Sequence, residues 1–167
     1  MKKLSYLLLP LSFLFLSGFT YDFPECDYDE DEYNLEECRR IAESGNPKAM
    51  VNLGHLYDYE IDDYGHTAEA LYWYNKAAER GEDRAQFQLG HFYESGIGVA
   101  PSDAKALVWY LKAAEQNNTD AMYRIGQFYK NGWAVKKAAE WYKRAADLGD
   151  RYGQKAFDKL LDELAEE

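Results

Sequence analysis

Ser102 and Lys105 stand three residues apart in "PSDAK", the spacing at which a lysine amine can take the proton of a serine hydroxyl as that oxygen attacks an acyl group. Enzymes built on this pair also carry Ser-Asp-Asn and Lys-Thr-Gly elements, and the chain contains neither. A serine that opens an apolar-periodic segment has a simpler task, accepting a hydrogen bond from an unpaired helical N–H, and Ser102 is read that way. His55 and His91 each follow a Leu-Gly pair, with Gln127 in the third such place. Two imidazoles on neighbouring helices about 8–10 Å apart fall short of a closed metal site, so no metal and no cofactor is expected. The run Asp27-x-Asp29-x-Asp31 opens like a calcium loop. Such a loop requires glycine where Glu32 stands and a carboxylate where Cys38 stands, so residues 21–33 are read as a solvated acidic arm.

The histidines are held in place by a repeat. Residues 49–84 align without a gap on residues 85–120, so "LYWYNKAAER" at 71–80 answers "LVWYLKAAEQ" at 107–116. A third copy starts at Ala121 in the same register, with Ile125-Gly126 matching Leu53-Gly54 and Leu89-Gly90, and it then lacks the residues equivalent to Ala100–Asp103. A deletion placed there marks a connection between two elements. On either side of it the apolar residues recur at helical spacing, as Ala85, Leu89, Phe92 and Tyr93 and then as Ala106, Tyr110, Ala113 and Ala114. Asn46, Glu82, Asn118 and Asp150 occupy helix-start positions, and Gly96 sits where a helix would end in a left-handed residue. A glycine inside each first helix costs about 1 kcal/mol against alanine, which predicts a close helix approach at the Leu-Gly pairs.

The second copy carries the full pattern Ala-x3-Leu-Gly-x2-Tyr-x2-Gly-x-Gly-Val, then Ala-x2-Trp-Tyr-x-Lys-Ala-Ala-Glu, at Ala85, Leu89-Gly90, Tyr93, Gly96-Ile97-Gly98-Val99, Ala106, Trp109-Tyr110 and Lys112 to Glu115. In this the chain resembles the Sel-one-like repeat proteins, relatives of the tetratricopeptide repeat. The resemblance covers residues 49–149. The first copy departs from it with Glu60, Asp62 and Asp63 in the connection, and the third with Ala134 at the second glycine. The resemblance implies an all-α fold, an α-solenoid of stacked antiparallel helix pairs, over residues 34–167: a partial unit at 34–45, repeats at 46–81, 82–117 and 118–149, and a capping helix at 150–167. Phe157, Leu160, Leu161 and Leu164 form the apolar stripe expected of that cap.

In such stacks the first helices face the concave side. The resemblance therefore nominates Val51, Phe87 and Tyr123, then Asn52, Gln88 and Arg124, then His55, His91 and Gln127 as a peptide-binding surface, with Arg84 at its edge. Trp73, Trp109 and Trp141 and the tyrosines that follow them, Tyr74, Tyr110 and Tyr142, stand on the second helices and are expected to pack.

The first twenty residues stand apart. Lys2 and Lys3 precede an uncharged run from Leu4 to Phe19, interrupted by Pro10, which reads as a signal peptide over residues 1–20. The run is shorter than a comfortable membrane span, and a retained anchor is the competing reading. Export to the periplasm or beyond makes a Cys26–Cys38 disulfide the natural inference, with free thiols or a redox pair as the alternative. Removing Lys2 and Lys3 from the formal charge of −11 leaves −13, which disfavours nucleic acid as a ligand. The expected function is that of an exported, non-enzymatic adaptor for a protein or peptide partner, with no stable membrane insertion after cleavage. A β-lactam- or cell-wall-directed hydrolase or binder, like some cysteine-rich secreted relatives, is one alternative, and a scaffold with no groove ligand is another.

Overall fold

The computed structural model describes residues 35–59, 66–132 and 134–165. These form eight helices: α1 (Leu35–Glu43), α2 (Pro47–Tyr59), α3 (Thr67–Glu79), α4 (Asp83–Ser95), α5 (Asp103–Glu115), α6 (Thr119–Asn131), α7 (Val135–Asp147) and α8 (Arg151–Ala165). Each packs against the next in chain order, and α8 also touches α6. The result is an all-α solenoid of stacked helix pairs.

The helix starts follow the local chemistry of the chain. Asn46 accepts from the Ala49 N–H at 3.1 Å, Asn118 from Ala121 at 2.9 Å and Asp150 from Gly153 at 2.5 Å, each satisfying a donor that the first turn leaves unpaired. Glu82, in the equivalent place, is too long for this contact and makes no side-chain cap. Ser102 caps α5 through its hydroxyl, 3.4 Å from the Lys105 N–H. Gly96 ends α4 in the left-handed region at φ 72°. Its counterpart Gly132 has φ −84°, so the shortened third connection turns differently. The stacking register survives because Ser102 N–H donates to Tyr93 O at 2.7 Å and Ala134 N–H donates to the equivalent Tyr129 O at 2.8 Å. The same anchor starts both second helices despite the deletion.

The Leu-Gly pairs mark a close approach, and the partner is a ring. A Cβ on Gly54 would lie 2.6 Å from Cε1 of Tyr74, and one on Gly90 or Gly126 would lie 2.5 Å from Cε1 of Tyr110 or Tyr142. The tyrosine of each Trp-Tyr pair thus crosses the preceding helix through a notch that only glycine leaves open. Tyr74 and Tyr110 are fully buried as a result, among the Ala77, Ala78, Ala113 and Ala114 pairs that let the helices come close. The tryptophans sit on the second helices, Trp73 buried and the other two half-buried. Each carries a cation over its ring: Lys76 at 5.3 Å from Trp73, Lys112 at 4.0 Å from Trp109 and Arg144 at 5.2 Å from Trp141.

Two expectations need correction. Val51 is completely buried in the core cluster with Cys38, Ile41 and Leu53, because its side chain is too short to emerge where Phe87 and Tyr123 do. The stripe on α8 divides: Leu160 is buried and Phe157 half-buried, but Leu161 and Leu164 remain 46% and 44% exposed. At 15 residues α8 is longer than the 13-residue α7 beneath it, so its last turns have less to pack on. The expected signal peptide, the acidic arm, Cys26 and the first repeat's acidic connection lie outside the described residues.

Candidate functional site

The first helices α2, α4 and α6, continued by α8, form one face, and the expected binding residues divide into two groups along it. In the first group His55 is half-buried, with Nδ1 3.1 Å from the Tyr74 hydroxyl and 3.4 Å from Nε2 of Gln88. Burial holds its imidazole below the ordinary histidine value, and the nearby Arg84 guanidinium pushes in the same direction. Arg84 is exposed at the start of α4, and Asn52 is half-buried on α2 one turn before His55. His91 continues the column on α4 with Nε2 3.3 Å from the Ser95 hydroxyl.

The second group surrounds a cleft of about 620 Å³ between α4, α6, α7 and α8. Tyr123 lies in its wall, its ring 5.6 Å from Tyr142 and 6.5 Å from Tyr152. Gln127 Nε2 donates to the Tyr123 hydroxyl at 3.2 Å and its Oε1 accepts from Arg124 at 3.4 Å, which fixes the guanidinium beside the ring. Arg124 also stands 3.8 Å from Glu94. Phe87 bridges toward this group but packs its ring against Tyr110 at 5.6 Å, leaving it half-buried.

Several residues on this face were not anticipated. The notch tyrosines, expected only to pack, bring their hydroxyls to it: Tyr74 reaches His55, and Tyr110 donates to Glu94 at 2.6 Å. Burial and the Glu94 carboxylate push the Tyr110 phenol well above its ordinary value, so it stays a donor. Burial, with Tyr123 and Glu163 nearby, raises Tyr142 to about 12. One position per repeat, a helical turn beyond the His55, His91 and Gln127 column, supplies charge of changing sign: Asp58, Glu94 and Lys130. Burial raises the Asp58 carboxyl, opposed by the field of His91. The helix α8 adds Tyr152, Lys155 and Lys159 to the cleft. The period of the first helices, extended onto "RYGQKAFDK", was the available signal for these.

Ser102 lies on the connection before α5, away from the cleft, with its hydroxyl engaged by the backbone of its own helix. Among the described residues no group of three or more His, Cys, Asp and Glu side chains is placed to hold a metal ion. No described helix is long and apolar enough to cross a membrane.

Fold and face together define an α-helical repeat scaffold. The chain belongs to the Sel1 repeat family, with residues 47–82, 83–118 and 119–150 each matching the Sel1 repeat. Proteins of this family typically mediate protein–protein interaction. Among solved structures the chain is similar to c5321, a protective antigen present in uropathogenic Escherichia coli strains and displaying an SLR fold, with 33% identity and a TM-score of 0.69 over 74% of this chain and 27% of that one. It is also similar to a Sel1 repeat protein from Oxalobacter formigenes, with 34% identity and a TM-score of 0.63 over 74% of this chain and 55% of that one. The chain therefore spans about a quarter of the first relative and about half of the second. No curated protein matches it.

Proposed function

We propose that this protein is an exported bacterial adaptor that binds a protein or peptide along the face of α2, α4, α6 and α8 and performs no chemistry of its own. The observation that carries the reading is the contrast between the two sides of the stack. The second helices turn Tyr74, Tyr110 and Tyr142 into the core and leave Tyr72 exposed beside Lys76, whereas the first helices present Asn52, His55, Gln88, His91, Arg124 and Gln127 beside half-buried Phe87 and Tyr123. Apolar anchors ringed by hydrogen-bonding groups are the composition of a recognition surface. The export half of the proposal rests on Lys2, Lys3 and the apolar run to Phe19, with Cys26 and Cys38 forming a disulfide once in an oxidising compartment. The description of c5321 as a protective antigen supports an exported setting.

Photo-crosslinking residues placed at Gln88 and Gln127 should trap a partner in living cells, while the same residue at Lys112, beside the Trp109 ring, should not. Equal capture from both sides would refute the groove. Protein recovered from the periplasm should begin near residue 21 and yield a Cys26–Cys38 linked peptide without reductant; retention of residues 1–20, or free alkylation of both cysteines, would refute the export half.

A further inference from the structure

Resting on that reading, we propose that the cleft between α6 and α8 is a docking site for an acidic segment of another polypeptide, one with an aromatic residue among its carboxylates.

The charge of the cleft runs against that of the chain. The whole sequence carries −11, yet the cleft is lined by Arg124, Lys130, Lys155 and Lys159, with Glu94 the single carboxylate in the lining. Three of these cations are already paired: Glu163 takes the Lys130 ammonium at 2.8 Å and lies 4.0 Å from Lys159, and Glu94 lies 3.8 Å from Arg124. Even when Glu163 is counted with Glu94, a surplus of positive charge remains. Lys155 is exposed and makes no ion pair among the described residues. Arg124 stands 3.8 Å from Glu94, beyond hydrogen-bond length, and Glu94 already accepts from Tyr110. The guanidinium is thus held by Gln127 with donors left over, and its planar fork suits an incoming carboxylate.

The remainder of the cleft is aromatic. Tyr123 and Tyr142 line it, and Tyr152 stands 71% exposed on α8, the most exposed large apolar side chain described. A rigid tyrosine left uncovered next to three lysines offers a face for a partner's ring while the ammonium groups meet the acids on either side of it. The volume of about 620 Å³ accommodates a few side chains, enough to anchor an extended segment. Nucleic acid is the less favoured polyanion, because its evenly spaced phosphates require a run of cations along a groove, whereas the cations here are confined to one cleft with tyrosines between them.

The test uses the purified mature chain and a fluorescent peptide of aspartate and glutamate residues flanking one central tyrosine, in an order that this chain does not itself contain. Fluorescence anisotropy should show binding that weakens steeply between 50 and about 300 mM salt, and at least tenfold weaker binding of the same peptide with Asp→Asn and Glu→Gln throughout. Lys155→Glu with Lys159→Glu, both on the exposed side of α8, should lower affinity at least tenfold with the circular dichroism melt retained, and Tyr152→Ala should lower it severalfold. Equal binding of the neutral peptide, indifference to the lysine reversals, or displacement by an oligothymidine at matching affinity would each overturn the proposal. The broader reading has its own readout: crosslinking along the first helices with no acidic-peptide binding sinks this inference alone, and absence of any first-helix crosslink sinks both.

Discussion

Tyr110 lies across Gly90 on the neighbouring helix so closely that a single added carbon would meet its ring at 2.5 Å, and beyond that notch its hydroxyl donates to Glu94 at 2.6 Å. The same crossing occurs at Gly54 with Tyr74 and at Gly126 with Tyr142, once per repeat. A packing residue of the second helix is thereby delivered to the outer face of the first.

This geometry makes the sign of one substitution informative. Alanine is about 1 kcal/mol better than glycine within a helix, so Gly90→Ala would stabilise the protein if the glycine were incidental. With the Tyr110 ring in the way, the ring or the helix must shift, and overpacking of a tight core costs about 1–3 kcal/mol. The net expectation is a destabilisation of up to about 2 kcal/mol, read as a lower urea midpoint with an unchanged slope. A variant more stable than the parent would show that the notch yields freely.

Asn117 is the one described non-glycine residue with positive φ, at 67°, and it stands where Gly45, Gly81 and Gly149 stand at the ends of other second helices. Asparagine tolerates that conformation better than most residues but not as well as glycine. Asn117→Gly should therefore stabilise the chain by a few tenths up to about 1 kcal/mol, and Gly81→Ala should destabilise it although a Cβ there meets nothing within 4 Å. Paired urea titrations of the two variants check both signs.

Helix order and register were legible because they depend on a pattern written three times: Leu89-Gly90 and Trp109-Tyr110 have the same meaning in every copy. Which member of a column would emerge was not legible, since that depends on side-chain length. Val51 sinks where Tyr123 protrudes, although the two share a register position. The column of Asp58, Glu94 and Lys130 went unnoticed because its charge changes sign from copy to copy, and a position that binds differently in each repeat leaves no common residue type to read. The contribution of α8 was hidden for another reason. It lies after the last Sel1 match, so no motif assigned Lys155 or Tyr152 a direction, and only its packing against α6 and α7 turns them into the cleft.

His55 gives the stack a dependence on pH. Its folded value lies below that of the unfolded chain, mainly because burial disfavours the imidazolium. Below the ordinary histidine value near 6.5 the unfolded state then binds more protons than the native state, so stability is greatest above that pH and declines as pH falls toward the folded value. The melting temperature should drop between about pH 7 and pH 5, and His55→Gln, which keeps a hydrogen-bonding side chain beside Tyr74 without a titrating group, should flatten that part of the profile. An unchanged slope in the variant would assign the dependence to another group, with Asp58 ruled out because its raised carboxyl favours the opposite trend.

The two aromatic residues expected as anchors now differ in what they can offer. Phe87 is half-buried with its ring against Tyr110, so Phe87→Ala removes core packing together with any contact to a ligand. Tyr123 is half-buried too, but it lines the cleft and its hydroxyl is held by Gln127, which positions the ring for a partner. An aromatic anchor at the centre of an interface typically contributes 2 kcal/mol or more, about thirtyfold in affinity. Tyr123→Ala should thus weaken capture of a crosslinked partner by about that factor. Both rings pack at 5.6 Å on the tyrosine of their own repeat, so the two variants should lower the melting temperature alike, with Phe87→Ala reducing affinity less once measured at a temperature where the variant is folded. Isothermal titration alongside thermal melts separates the two effects, and a Phe87 variant with intact stability and lost binding would move the centre of the interface from α6 and α8 back to α4.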